Sequence, residues 1–351
     1  MKAVVFSDRF FVSEVFEKAI QAVPFWHNVK RVYFDVGWPQ APLSCGGKLK
    51  EYVPYPESAL REMQDAEILV TQMGCVDKKL LINAPHLRVV GCLRSGPVNV
   101  DREALKERKI PLISAPERSV EAVAEFTIGL FIIARRKIFQ SCKEAKEGNW
   151  TQGLYFVYEQ ASPGWSETVV GLIGFGRIAR RVATLLMPFR PRRVLAYDPY
   201  VGEDVMGQYR VEKVDLQYLL QNSDIVSLHV RCTGSNRKMF GEQAFSMMKR
   251  GSIFVNTARG ELVDEEALFR ALKKGTPAFA CIDTCCHEPW SGRHIFAELD
   301  NVVLTPHIAG ASRSTVEEGA RAIAQGIADY FKNVSDLSRR ELEINSVFPG
   351  S

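Results

Sequence analysis

The sequence predicts an α/β protein made of two doubly wound parallel-sheet domains. Three observations lead there. Short apolar runs alternate with helical patterns along the chain, the alternation stops near the middle and restarts, and a glycine-rich turn opens the second half. Length agrees, because 351 residues at about 150 per domain make two domains.

Composition narrows the class further. A chain that is 46% hydrophobic and 25% charged has apolar material for two cores, which excludes a disordered protein. A net charge of +4 is too small to make nucleic acid an expected partner. The longest apolar run, FTIGLFIIA at 126–134, falls well short of the roughly 20 residues of a membrane span. The opening MKAVVFSDRF meets charge too early for a secretory signal. These features predict a cytoplasmic protein with no membrane contact.

The elements follow in order. KAVVFS (2–7) reads as a strand, then a helix over 12–22 and a strand at RVYFDV (31–36). EILVTQ (67–72), a short helix at 77–83, LRVVGC (87–92), a helix opening at Asp101 and PLIS (111–114) complete the first alternation. Ser119 is placed to cap a long helix that runs past Arg135, with Glu121 in its first turn. The stretch 148–167 breaks the pattern with Gly, Pro and aromatics and reads as an extended arm. Strands resume at TVVGLIGFG (168–176), RVLAY (193–197), DIVSLHV (224–230), SIFVN (252–256), AFACID (278–283) and NVVLT (301–305). A last helix is expected from Ser312 to Phe331, followed by an aperiodic tail at 333–351.

The glycine-rich turn is Gly174-x-Gly176-x-x-Ala179, between a strand and a helix. Gly174 suits the tight turn, Gly176 lets a pyrophosphate approach the backbone, and Ala179 is small enough for helix–strand packing. The amides of Phe175, Arg177 and Ile178 open the helix, where N–H groups and the dipole favour anions. Asp198 lies 22 residues beyond Gly176, at the end of the next strand. A carboxylate there bonds ribose hydroxyls and repels a 2′-phosphate, which favours NAD over NADP.

Past later strand ends stand Arg259 in NTARG, Asp283 and Glu288 in AFACIDTCCHEP, and His307 in TPHIAG. Ligands bind at carboxyl strand ends in open α/β sheets. The eight cysteines are scattered, so no disulfide scaffold is expected. Cys285, Cys286 and His287 cluster without a second group, so no metal is expected. As vicinal cysteines beside Glu288, Cys285 and Cys286 are candidates for oxidation sensitivity.

Through these motifs, together with RSGPVNVD (94–101), VEAVAEFTIGL (120–130) and LHV (228–230), the chain resembles the D-isomer-specific 2-hydroxyacid dehydrogenases. That family includes phosphoglycerate dehydrogenase and glyoxylate/hydroxypyruvate reductases. The resemblance implies a Rossmann NAD-binding domain at 119–312, inserted into a flavodoxin-like substrate domain at 1–118 and 313–351. A cleft between them would close on NAD and a 2-oxo or 2-hydroxy acid.

The resemblance also implies roles. His307 is the acid/base, Glu288 holds its imidazole protonated, and Arg259 binds the substrate carboxylate and carbonyl. Val230, Thr257, Ala258, Arg259, Asp283, His307 and Gly310 line the nicotinamide end. Met73, Gly74, Arg94, Ser95 and Gly96 face the substrate. Arg94 is left with two readings, a ligand for a phosphate or second carboxylate, or a structural or solvated cation. RSGPVNVD is two residues shorter than the family's usual loop. The resemblance further implies a homodimer, with the 148–167 arm as a candidate contact, and no regulatory domain after the last helix. The rival reading is an NAD(H)-sensing corepressor of the same fold. A formate dehydrogenase is disfavoured by Glu288, where those enzymes carry Gln.

Overall fold

The computed structural model describes residues 1–38, 49–150, 157–158, 161–288, 290 and 292–347. The chain divides into two compact units, Met1–Ser119 with Ser312–Ser351, and Val120–Ala311.

The first unit is built on β1 (Lys2–Ser7), β2 (Lys30–Asp35), β3 (Ile68–Thr71), β4 (Val89–Cys92) and β5 (Leu112–Ser114), all parallel and ordered β2-β1-β3-β4-β5. Period-two alternation sorts its side chains onto two faces. Ala3, Val5, Ile68 and Val70 pack with Phe16, Trp26, Ile323 and Ile327. Val4, Phe6, Leu69 and Val90 pack on the other face with Met63, Leu80 and Leu105. The last helix returns to this sheet, and Trp26 Nε1 donates to Ala324 O at 3.0 Å.

The second unit holds β6 (Val169–Ile173), β7 (Arg193–Tyr197), β8 (Glu212–Lys213), β9 (Ile225–Leu228), β10 (Ile253–Asn256), β11 (Phe279–Ile282) and β12 (Val302–Leu304). Their order is β12-β11-β10-β9-β6-β7-β8, again all parallel. This is the doubly wound dinucleotide-binding order with one further strand, and it reverses between β6 and β9. Helices Val120–Arg135 and Arg177–Leu186 cover one face through Leu130, Phe131, Val182 and Leu186. Leu219, Phe245, Leu268 and Leu272 cover the other.

The structure departs from the sequence reading in several places. The helix opening at Val120 stops at Arg135, where Lys137 takes φ 53°, and a second helix runs Ile138–Lys146. The Ser162 hydroxyl donates to Arg135 O and so satisfies a carbonyl at the break. Of the expected arm, 151–156 and 159–160 lie outside the described residues, while Trp165–Glu167 forms a short 3-10 helix. The tail is helical, because the last helix spans Arg313–Val347. Nothing after Phe331 stops it, since KNVSDLSRRELEINSV contains neither Gly nor Pro. Residues 348–351 lie outside the described residues. Helix Glu57–Met63 and the two-residue β8 were not foreseen. Among the described residues no helix is long and apolar enough to cross a membrane.

Ile323 is wholly buried beneath the first sheet. Ile323→Ala removes buried methyl groups and is expected to cost about 2–5 kcal/mol. Urea unfolding followed by far-ultraviolet circular dichroism checks this. An unchanged midpoint contradicts the packing of the last helix on this sheet.

Candidate active site

The phosphate cradle lies at the reversal of the second sheet. Gly174 has φ +85°, and a Cβ there would sit 2.7 Å from Val230 Cγ1 and 2.9 Å from His229 C and O. Both the left-handed backbone and the crowding therefore require glycine. A Cβ at Gly176 would meet nothing within 4 Å, so this exposed turn presents bare backbone. Helix Arg177–Leu186 starts with no side chain capping it. An uncapped helix start beside open backbone fits the pyrophosphate of NAD. Arg177 is exposed, Ile178 is half-buried, and Ala179 is fully buried in the core.

Asp198 does more locally than was foreseen. Its Oδ2 accepts from Phe175 N at 2.8 Å and its Oδ1 from Tyr200 N at 2.8 Å. The Phe175 ring is fully buried against Tyr209. Phe175, expected among the cofactor contacts, has its ring in the core and its amide held by Asp198. The open cradle is made by Gly176 and Arg177.

The catalytic candidates stand past the carboxyl ends of β10, β11 and β12. Asn256, 1% exposed, shapes the first loop. Its Nδ2 donates to Arg259 O at 3.0 Å and its Oδ1 accepts from Ala258 N at 3.0 Å. This leaves the Arg259 side chain exposed, with Nη1 donating to Ala258 O at 2.6 Å. Thr257 is buried, its hydroxyl 3.1 Å from that of Thr127, and Val230 and Ala258 are half-buried. Gly260 then passes so close to the next segment that a Cβ would lie 1.9 Å from Cys285 C. The Arg259 loop and the Glu288 segment are thereby pressed together.

Glu288 binds at both oxygens. Oε1 accepts from Cys285 N at 2.5 Å, and Oε2 lies 2.5 Å from His307 Nδ1. The Glu288 side chain is 17% exposed and that of His307 is 41% exposed. The carboxylate is held from behind while the imidazole faces solvent. The hydrogen bond that His307 donates to Glu288, opposed by burial, raises the His307 pKa.

Asp283, expected at the nicotinamide end, also positions the loop that carries His307. It is completely buried. Oδ1 accepts from Thr305 Oγ1 at 2.6 Å and Ile308 N at 2.9 Å, and Oδ2 accepts from Ala309 N at 2.9 Å. Its backbone O also accepts from His307 N at 2.9 Å. These bonds fix His307 at φ 54°, a left-handed conformation that is costly for histidine. Gly310 follows, half-buried.

The substrate-side candidates belong to the first unit. The Arg94 guanidinium pairs with the Glu51 carboxylate, and its Nη1 donates to Glu51 O at 3.0 Å and lies 3.6 Å from Met73 Sδ. Of its two readings, the structure adds a carboxylate partner that sequence spacing did not reveal. The Met73 amide is corrected as a spare donor, because it donates to Asp8 Oδ2 at 3.1 Å. Gly74 is buried against Phe6. Ser95 and Gly96 are exposed.

Oxidation sensitivity at the cysteine pair is not favoured by their surroundings. Burial raises the Cys285 thiol, and burial with the charge of Glu265 raises Cys286 to about 12.

A family model described as D-isomer specific 2-hydroxyacid dehydrogenase, NAD binding domain, matches residues 128–309. D-3-phosphoglycerate dehydrogenase of Methanocaldococcus jannaschii is 35% identical over 280 residues, covering 79% of this chain and 51% of that protein. Glyoxylate reductase of Korarchaeum cryptofilum is 34% identical over 281 residues, covering 80% of this chain and 84% of its own. Among solved structures, D-lactate dehydrogenase with NAD+ from Lactobacillus jensenii matches with a TM-score of 0.72 and 25% identity, covering 94% of this chain and 97% of that one. The chain spans about half the length of the archaeal phosphoglycerate dehydrogenases it matches.

The Glu288 bond makes a testable electrostatic statement. The His307 ring is expected to titrate above its ordinary value of 6.5, and Glu288→Gln is expected to bring it down. With the folded value raised, the pair's contribution to stability is complete below pH 6.5 and is lost as pH rises through the raised value. Imidazole proton chemical shifts against pH, in both proteins, measure it. Equal titration curves count against the pairing.

Proposed function

The chain belongs to the D-isomer specific 2-hydroxyacid dehydrogenase family, and from that premise we propose that it interconverts a 2-oxo acid and a D-2-hydroxy acid with NAD. The observation that carries this reading is the Glu288–His307 pair, an imidazole held by a carboxylate at one nitrogen and open to solvent on its exposed side.

The Gly174–Arg177 cradle would hold NADH, which would supply the hydride chemistry of the reduction. His307 supplies the proton. Nδ1 faces Glu288, so Nε2 is the nitrogen free to donate to the keto oxygen, and it takes that proton back in the oxidative direction. Glu288 favours the charged ring needed for donation. Arg259 binds the substrate carboxylate through its planar guanidinium and polarises the carbonyl. Asp198, at the end of β7, disfavours a 2′-phosphate and selects NAD over NADP.

The Arg94–Glu51 pair bears on the substrate. The resemblance brings the Arg94 loop to the substrate, and here the guanidinium already has a carboxylate beside it. A second anionic group on the substrate would have to displace Glu51. This favours a small unphosphorylated 2-oxo acid, of the glyoxylate or hydroxypyruvate class, over phosphohydroxypyruvate. The relatives named glyoxylate reductase support the same class.

NADH oxidation with a panel of 2-oxo acids tests the activity. Turnover of any of them also separates an enzyme from an NAD(H)-sensing interaction protein. His307→Ala is expected to lower kcat by about 10²–10⁴ while NADH binding, followed by its fluorescence, stays near that of the parent. An unchanged rate removes His307 from the mechanism. Asp198→Ala is expected to weaken NADH binding more than NADPH binding. Equal loss for the two cofactors refutes the ribose assignment.

A further inference from the structure

Behind the segment that carries Glu288, three side chains of different chemistry converge. A thiol, an imidazole and a carboxylate, from Cys285, His294 and Glu265, bring one ligand atom each within 4.8 Å of one another. Cys285 is 3% exposed, and the side chains of His294 and Glu265 are 9% and 18% exposed. The catalytic reading uses none of them. Glu288 takes the Cys285 backbone N–H and not its thiol. His294 Nε2 and Glu265 Oε2 stand 3.7 Å apart, too far for a hydrogen bond.

We propose that Cys285, His294 and Glu265 form a binding site for one divalent cation of the zinc class. A sulfur, nitrogen and oxygen set suits a borderline-soft metal and excludes calcium and magnesium, which require oxygen ligands. Tetrahedral zinc bond lengths put ligand atoms roughly 3.4–3.6 Å apart. The widest separation among these atoms is 4.8 Å or less, so closing the site takes a movement of about 1 Å. The three residues leave a fourth position for water.

The groups around the site already orient its ligands. Glu265 Oε1 accepts from Cys286 N at 2.7 Å, which leaves Oε2 on the side of His294. Phe296 N donates to His294 Nδ1 at a long 3.3 Å. Loading the site needs the Nε2 lone pair, so the ring proton moves to Nδ1 and that weak bond is given up. The thiol proton leaves to solvent as the metal–sulfur bond forms, and nothing is oxidised. The buried thiol faces the negative charges of Glu265 and Glu288, a repulsion that a cation would reverse.

Cys286 is not one of the converging ligands: its Sγ donates to Gly260 O at 3.2 Å and to Val263 O at 3.5 Å, and its thiol also meets Glu265. Its substitution is a control for loss of a thiol beside the site. No second ligand cluster accompanies Cys285–His287 in the sequence, so a metal was not expected there. The fold brings the partners from 20 residues upstream and nine downstream.

Cobalt(II) reports the site without reference to activity, so the test is independent of the catalytic reading. The full chain, reduced and stripped with a chelator, is titrated with Co²⁺. One equivalent is expected to bind, with a thiolate-to-cobalt charge-transfer band in the near ultraviolet that Zn²⁺ abolishes. Cys285→Ser should lose the band, and Cys286→Ser should keep it. His294→Asn and Glu265→Gln should each weaken binding by about tenfold or more. Thermal unfolding in chelator identifies any variant that fails to fold. Should Cys285→Ser be one, the His294 and Glu265 variants decide. Absence of the band in the parent protein overturns the proposal, as does a band that survives Cys285→Ser or resists both of the other substitutions.

Discussion

Both carboxylate oxygens of Asp283 are taken by the loop that carries His307, and the geometry of the catalytic candidates depends on that attachment. A carboxylate with no exposed surface is costly unless hydrogen bonds replace its water. Here a hydroxyl and two amides from 305–309 do so. The interaction works in both directions, because the same donors hold a short loop whose histidine sits at φ 54°. A freely moving loop would let that residue relax to negative φ and carry the ring away from Glu288. The constraint continues through Glu288 to the Cys285 amide, and from the Cys285 backbone to Gly260 and Arg259. Three separate loops are thus tied into one structure.

The parallel sheet makes this possible. Because β6 to β12 all run the same way, every following loop emerges at the same edge. The order reverses between β6 and β9, where the Gly174 turn meets the residues after Leu228. The cradle therefore sits at the reversal, and Arg259, Glu288 and His307 come from the next three strands in succession. Fold and site are parts of one arrangement, since the strand order decides which loops are neighbours.

Much of this was legible in the sequence. The strands announce themselves by apolar runs because both faces of each sheet are covered, and the cradle by glycine spacing, because glycine there answers a backbone requirement. Arg259, Glu288 and His307 were legible as polar side chains past strand ends, and they lie past β10, β11 and β12. What escaped was of another kind. The bonds of Asp283 to 305–309, of Asp8 to Met73 and of Arg94 to Glu51 join residues far apart in sequence, and neither periodicity nor spacing encodes them. Asp283 was legible as an acid past a strand end, but its bonds to the 305–309 loop were not. The last helix was cut short at Phe331 because an apolar stripe was the signal followed, and helix formation without that stripe leaves only propensity to read.

One device recurs in both units and explains why these loops can hold side chains in place. Asp8, just after β1, accepts from Met73 N after the neighbouring β3. Asp198, after β7, accepts from Phe175 N after the neighbouring β6. Asp283, after β11, accepts from the amides that follow the neighbouring β12. In each case an aspartate at a carboxyl strand end bonds backbone amides that lie beyond the end of the adjacent strand. Loops at such an edge have unpaired amides, and water would otherwise satisfy them and leave the chain free to move. An acceptor fixed to the adjacent strand removes that freedom without adding a side chain to the open face. Its short reach suits the spacing of neighbouring strands, and its charge strengthens each bond to an amide. The edge is therefore rigid before any ligand arrives, which is the condition a proton donor must meet if its aim is to be set by the protein and not by its substrate.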